Sequence, residues 1–227
     1  MCFSAEASFT GSAIISAIGI ASIAKAKQPT QMLFAGVPFI FGIQQLSEGV
    51  VWVTLKFGGH EWLLNEAVHL FLITALVIWP MMIPLAMWLM EKAEKRKRIL
   101  LGLMMTGGIL SIFYSFCLVS YDVTSQIQSF HIQYIYYFPS PLATIASGFY
   151  LVSTVAPLFV SSIRRIWLMG ALIVASYFVS ALFFSQYLTS VWCFFAAVIS
   201  VVIFWILAEP APMVSRIRND DRYLFTS

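Results

Sequence analysis

The distribution of basic residues along the chain constrains its fold more than any other feature. The chain has 13 Lys and Arg residues, and all but Lys56 fall in four short patches, at every second gap between long apolar runs. The patches are Lys25 with Lys27, the run 92–98, Arg164 with Arg165, and the trio Arg216, Arg218 and Arg222. Positive charge in short loops stays on the cytoplasmic side of a bilayer. The pattern therefore predicts seven transmembrane helices, with the N-terminus outside and the C-terminus in the cytoplasm.

Composition supports a membrane protein. Hydrophobic residues make up 60% of the chain and charged residues 10%, whereas soluble domains have about 25% charged residues. We therefore predict an all-α class, a polytopic bundle that forms one domain over residues 1–227. Its predicted partner is the lipid bilayer. Since the basic residues are accounted for by orientation, no nucleic-acid partner is expected.

The apolar runs place the predicted spans. A span needs about 20 residues, and the runs predict spans at 5–24, 33–56, 66–90, 99–120, 141–162, 165–187 and 190–208. The segment 120–140 is rich in aromatic residues, which favour the headgroup layer. It is predicted to form an interfacial cap over the outer mouth of the bundle, and residues 209–227 are predicted to form a cytoplasmic tail.

Three ionisable residues fall at similar depths in the outer half of the predicted bundle: Glu6, Glu48 and His69. Each costs roughly 2.5–3.5 kcal/mol to insert into a membrane, and this cost falls if the groups satisfy one another. We therefore expect them to converge in one pocket. Carboxylate and imidazole ligands suit zinc, iron or manganese, so the predicted cofactor is a divalent metal held by these residues and Cys2.

Other residues are candidates for binding a small ligand at the same pocket. Gln44 and Trp52 share a helical face with Glu48, and Gln45 is one turn before it. Trp192 and Cys193 open the last predicted helix from the same side. Because residues 190–208 contain no Lys, a retinal Schiff base is not expected. His131, in the outer segment, is expected to be a solvated surface residue.

An alternative without metal uses the same residues. Glu48 would then be hydrogen-bonded to Gln44 or Gln45, since burial favours the neutral carboxyl group. His69 would bond to Glu66 or to a backbone carbonyl. The spacing from Glu66 to His69 occurs in helical metal sites, but it is a weak signal on its own.

Four sequence blocks together resemble a known family. They are the opening Met-Cys-Phe-Ser-Ala-Glu-Ala-Ser-Phe, the block from Gln44 to Trp52, the Trp79-Pro80 pair with Pro84, and Ser-Val-Trp-Cys-Phe-Phe-Ala-Ala at 190–197. The chain resembles a family of uncharacterised multi-span membrane proteins, mostly bacterial, that begin with Met-Cys-Phe-Ser. The resemblance covers nearly the whole chain. It implies no activity, and it makes the bacterial inner membrane the predicted location.

Two functions remain open at this point. The first is an integral membrane protein with an outward-facing site for a metal ion or small ligand, acting as a sensor or binding component. The second is a membrane-embedded metal-dependent hydrolase that acts on a lipid or other apolar substrate, through a metal-activated water. The residue pattern identifies no catalytic group. A transporter would need polar groups in both leaflets, so it ranks last.

Overall fold

The chain is mostly helical. The computed structural model describes residues 4–128, 131–163, 165–183 and 195–209. The helices are α1 (Ala5–Lys25), α2 (Met32–Ala35), α3 (Val37–Phe57), α4 (Glu61–Leu72), α5 (Trp79–Met90), α6 (Glu94–Ser120), α7 (Ser140–Val160), α8 (Ile166–Phe183) and α9 (Ala196–Ala208). A π-helical segment, Ile73–Ile78, joins α4 to α5, and a 3-10 turn, Pro29–Gln31, precedes α2. The helical class predicted from the sequence is therefore confirmed in its coarse form.

Three of the described helices are long and apolar enough to cross a membrane: Ala5–Lys25, the continuous rod Glu61–Met90, and Glu94–Ser120. Shorter apolar helices occupy Thr144–Val160, Ile166–Ser180 and Ala196–Ala208. On α6 the large apolar side chains Ile112 and Val119 are 74% and 88% exposed. An apolar surface of that kind is stable against hydrocarbon and costly against water.

Helices α1 and α3 pack antiparallel through small residues. A Cβ at Gly19 would lie 2.5 Å from the backbone nitrogen of Phe39, so only glycine permits this approach. Further along, the Ser12 hydroxyl donates to the carbonyl oxygen of Gly42 at 2.7 Å. Small residues that let two backbones come together, with a hydroxyl bond between the helices, are typical of membrane helix pairs.

Basic groups from two segments of the chain meet Glu209 of a third segment at one end of the bundle. The Lys27 ammonium donates to the carbonyl oxygen of Glu209 at 3.1 Å, and Arg165 forms an ion pair with the Glu209 carboxylate. The Arg165 guanidinium also lies over the Trp205 ring, 4.2 Å from its centroid. The ends of α1 and α9 and the start of α8 are thus neighbours in space.

At the other end of the bundle, the connection between α6 and α7 is a β-hairpin. Strand β1 (Val123–Gln128) pairs antiparallel with β2 (His131–Tyr136), with Val123 opposite Tyr136 and Gln128 opposite His131. The all-α prediction is wrong for this segment. Its alternating Ile and Tyr residues have the period of two that a strand requires. The role of the segment as an interfacial cap stays a prediction.

Candidate functional site

One face of α3 is a buried polar stripe. Gln44, Gln45, Glu48 and Trp52 are at most 5% exposed, and Glu48 is fully buried. The Gln45 side-chain amide donates to Glu48 Oε2 at 2.7 Å, as the alternative without metal expected. The Trp52 indole nitrogen is buried without a hydrogen-bond partner among the described residues. Polar side chains buried this deeply are retained at a cost in stability, which makes the stripe a candidate for function.

Glu6 and His69, the other predicted metal ligands among the described residues, do not join Glu48. The described residues contain no group of three or more His, Cys, Asp or Glu that could hold a metal ion. Glu6 is exposed on the first turn of α1, and His69 Nδ1 lies 2.8 Å from the carbonyl oxygen of Asn65, one turn back on its own helix. The expected convergence of Glu6, Glu48 and His69 on one metal is therefore wrong.

The reason lies in which face of α4 packs inward. Ala67, Val68, Phe71 and Leu72 are the buried residues of this helix. The spacing of three residues does put Glu66 and His69 on one face, as predicted. The apolar residues between and after them, however, are the ones that pack into the core. Glu66 is exposed as a result.

A cavity of about 210 Å³ lies beside the polar stripe, among most of the helices and the hairpin. Of the described residues that line it, none is charged, and most are apolar or aromatic. They are Phe41, Gln44, Ala75, Leu76, Trp79, Ile83, Tyr114, Tyr136, Phe138, Ser147, Tyr150, Leu151, Thr154, Met169, Ile173, Tyr177 and Ile199. Gln44 is thus in the cavity wall, whereas Gln45 and Trp52, predicted with it, are not among these lining residues.

Two contacts of Trp79 position the part of the cavity wall that α3 and α5 form. The Trp79 indole nitrogen donates to Gln44 Oε1 at 3.0 Å, and the Trp79 ring lies 4.3 Å from the ring of Phe41. Both contacts join α5 to α3. Because the indole holds the amide oxygen, the orientation of the Gln44 side chain is set before any ligand binds.

The π-helical segment positions a further residue of the cavity wall, Tyr150. A π-helical carbonyl bonds to the N–H five residues further on, and for Ala75 that residue is Pro80, which has no N–H. The Tyr150 hydroxyl donates to the Ala75 carbonyl oxygen instead, at 2.6 Å. This bond ties α7 to the irregular turn and places the Tyr150 ring in the cavity wall.

The hairpin and the residues after it close the cavity at one end. Tyr136 and Phe138 line the cavity, and their rings stack with centroids 4.7 Å apart. Tyr134 stacks on Phe71 of α4 with centroids 4.6 Å apart. His131 is only 8% exposed, so the expectation of a solvated histidine is wrong, and burial lowers the pKa of its imidazole.

The sequence reasoning missed most of the cavity residues, in particular Tyr114, Tyr150 and Tyr177. A tyrosine inside a predicted span could have indicated these positions, since a buried Tyr usually finds a hydrogen-bond partner. The candidate site residues taken from the sequence include no tyrosine. The predicted residues Cys2, Trp192 and Cys193 lie outside the described residues, as do residues 210–227 of the predicted tail.

A second buried carboxylate, Glu91, was also missed. It follows α5 and is 2% exposed. Its Oε1 accepts from the backbone nitrogens of Lys92 and Ala93 at 2.9 and 3.0 Å and from the Ser162 hydroxyl at 2.6 Å. Its Oε2 accepts from the Ser162 backbone nitrogen at 2.7 Å. Burial raises the pKa of this carboxyl group, but these hydrogen bonds outweigh it and lower the pKa to about 2.

The contacts of Glu91 join two loops. One follows α5 and the other follows α7, and they also meet where Arg96 Nη1 donates to the carbonyl oxygen of Val160 at 3.0 Å. Glu91 therefore holds these two loops together at the basic end of the bundle. The hairpin residues that line the cavity lie at the other end.

Comparison with known proteins gives one match. No curated protein matches the chain, and no solved structure matches it. A family of unknown function (DUF6629) matches residues 1–217, which is consistent with the expectation of an uncharacterised family. The chain belongs to this family of unknown function, DUF6629.

Proposed function

We propose that this protein is an integral membrane protein of the bacterial inner membrane with seven spans, its N-terminus outside and its C-terminus in the cytoplasm. Three helices with the length and composition of spans support this, as do the exposed apolar side chains of α6. The contacts of Lys27, Arg96 and Arg165 at one end of the bundle support the orientation. Because short cytoplasmic loops carry an excess of Lys and Arg, we assign the end with these basic groups to the cytoplasm.

The orientation predicts the outcome of reporter fusions. A phosphatase that is active only outside the cytoplasm is expected to be inactive when fused after the last residue, and active when inserted after Gly58, between α3 and α4. A fluorescent protein that matures only in the cytoplasm should give the opposite pair of results. An active phosphatase at the C-terminus would contradict the proposed orientation.

We further propose that the cavity beside Gln44 binds a small uncharged ligand with a ring-sized head. The uncharged, aromatic lining of the cavity supports this more than any other observation. An ionic ligand would leave an uncompensated charge among apolar groups, whereas aromatic walls favour a flat ring. The cavity volume of about 210 Å³ suits such a head, since an apolar cavity of roughly 150 Å³ already admits benzene.

The proposal includes neither a metal ion nor the metal-dependent hydrolase. Both depend on a set of metal ligands, and the described residues contain no such set. The predicted binding role is retained, and Gln44 is the residue expected to form a polar contact with the ligand. The cavity provides an amide and several hydroxyl groups for hydrogen bonding, and these suit recognition of a carbonyl or hydroxyl group on the ligand.

Binding of a substituted benzoquinone that has no hydrocarbon tail tests this function. Calorimetric titration of the protein in lipid nanodiscs is expected to show saturable binding, and an aromatic carboxylate of the same size should not bind. Gln44→Leu removes the one amide among the described lining residues and should weaken binding about tenfold, the value of one hydrogen bond of roughly 1.4 kcal/mol. Empty nanodiscs correct for partition into lipid.

Gln28→Leu is the matched control, because Gln28 is exposed in the loop after α1 and its loss should leave the affinity unchanged. Equal binding of the quinone and the carboxylate, or no binding of either, would refute the proposed ligand class. Loss of affinity in both glutamine variants would show that the effect of Gln44→Leu is not local.

A further inference from the structure

An apolar groove runs along the outside of the bundle between α7 and α8. Its lining from α7 extends from Leu151 to Val160, and its lining from α8 extends from Val174 to Phe178. Val152, Phe159 and Phe178 on its edges are 48%, 51% and 59% exposed. The groove is therefore open at the surface that the proposed topology places against lipid.

The groove adjoins the cavity. Leu151 and Tyr177 line both of them, so these two side chains form the boundary between the interior of the bundle and its surface. At the far end of the groove the two helices come close together. A Cβ at Gly170 would lie 3.0 Å from the Phe159 ring and 3.2 Å from the Leu158 side chain.

The size and direction of the groove define what it can hold. From Leu151 to Val160 the helix rises about 14 Å, which is enough for an extended chain of the length of a decyl group. The groove leads from the cavity toward the end of α7, where Ser162 bonds to Glu91 at the basic end of the bundle. A ligand with its head in the cavity and its tail in the groove would thus point its tail away from the hairpin.

We infer that the ligand is a neutral lipid with a ring-sized head and a hydrocarbon tail, which reaches the cavity sideways from the bilayer between α7 and α8. This inference rests on the proposed binding function and specifies its ligand. The cavity alone is smaller than the roughly 300–1,000 Å³ typical of sites that enclose a whole ligand. The apolar groove that adjoins it supplies the missing room. The head-to-tail direction matches a lipid of the leaflet on the hairpin side.

A pair of probes separates the tail from the head: the same substituted benzoquinone with and without a decyl chain. Ala156 lines the groove and does not line the cavity. Ala156→Phe fills the groove, so it is expected to weaken binding of the decyl compound about tenfold, in the range that overpacking costs, and to leave the compound without a tail unaffected. Ala17→Phe, at an exposed alanine of α1, should change neither affinity.

The outcomes are distinguishable. If the wild-type protein binds neither compound, the proposed function fails and the groove has no ligand to accept. If both compounds bind but Ala156→Phe leaves the decyl compound unaffected, the cavity function stands and the groove inference is overturned. Equal weakening of both compounds by Ala156→Phe would also overturn it.

A second measurement does not depend on any variant. A decyl benzoquinone that carries a photoreactive diazirine at the end of its chain should label α7 between residues 155 and 160, and α8 near residue 174. Mass spectrometry of the labelled peptides identifies the site. Labelling confined to α1 or α6 would overturn the inference.

Discussion

Gly107→Ala is expected to lower the thermal stability of the protein strongly. A Cβ at this position would overlap the carbonyl oxygen of Pro80 and lie 2.6 Å from its carbonyl carbon. Because the obstructing atoms belong to the backbone, α6 must move away from α5 to make room. Overpacking costs about 1–3 kcal/mol, and we expect the upper end of that range. The midpoint of thermal unfolding in detergent measures the effect.

Gly108→Ala is the matched control one residue later. Nothing lies within 4 Å of a Cβ at Gly108, so the added methyl group meets open space. Alanine is favoured over glycine inside a helix by about 1 kcal/mol, and this variant should be as stable as the wild type or slightly more stable. Similar unfolding midpoints for the two variants would show that α5 and α6 do not pack as described.

Glu91→Gln is expected to have an effect of similar size and to change the acid sensitivity of the protein. The pKa of the Glu91 carboxyl group falls from 4.5 to about 2 on folding. At 1.36 kcal/mol per pKa unit this corresponds to about 3 kcal/mol of stability. The glutamine amide would also point N–H groups at the Ser162 backbone nitrogen, where the carboxylate now accepts a hydrogen bond.

The direction of the pH dependence follows from the lowered pKa. The stabilisation is fully present above the unfolded-state pKa of 4.5 and is lost as the pH falls from there toward 2. The stability of the wild type should therefore converge on that of Glu91→Gln in acid. Glu94→Gln removes an exposed carboxylate three residues later and serves as the control. A gap between wild type and Glu91→Gln that does not narrow below pH 4.5 would contradict this account.

The parts of the fold that follow from hydropathy and charge could be predicted from the sequence. Most helix ends among the described residues lie near the predicted positions, because apolar runs and basic patches are visible in the order of residues along the chain. The bond between Gln45 and Glu48 was also predictable, since residues three apart on a helix are neighbours. The burial of Gln44 in the cavity wall follows from the same helical face.

The features that depend on how the helices face one another could not be predicted in this way. The sequence spacing put Glu66 and His69 on one face of α4, but the choice of which face packs inward depends on Phe71 and Leu72 meeting the rest of the core. The interaction of Tyr150 with Ala75 joins residues 75 positions apart. The role of Glu91 could not be predicted because one of its partners, Ser162, follows a different helix.

The close packing of α1 against α3 has a consequence for the order in which the protein assembles. Its contacts pair Gly19 with Phe39, Ser12 with Gly42, and Phe9 with Gly49, so none of them spans more than 40 residues. Local contacts form early and domains acquire structure as synthesis proceeds. This helix pair can form as soon as α3 has been synthesised. The later helices, including those that line the cavity, can then pack against it.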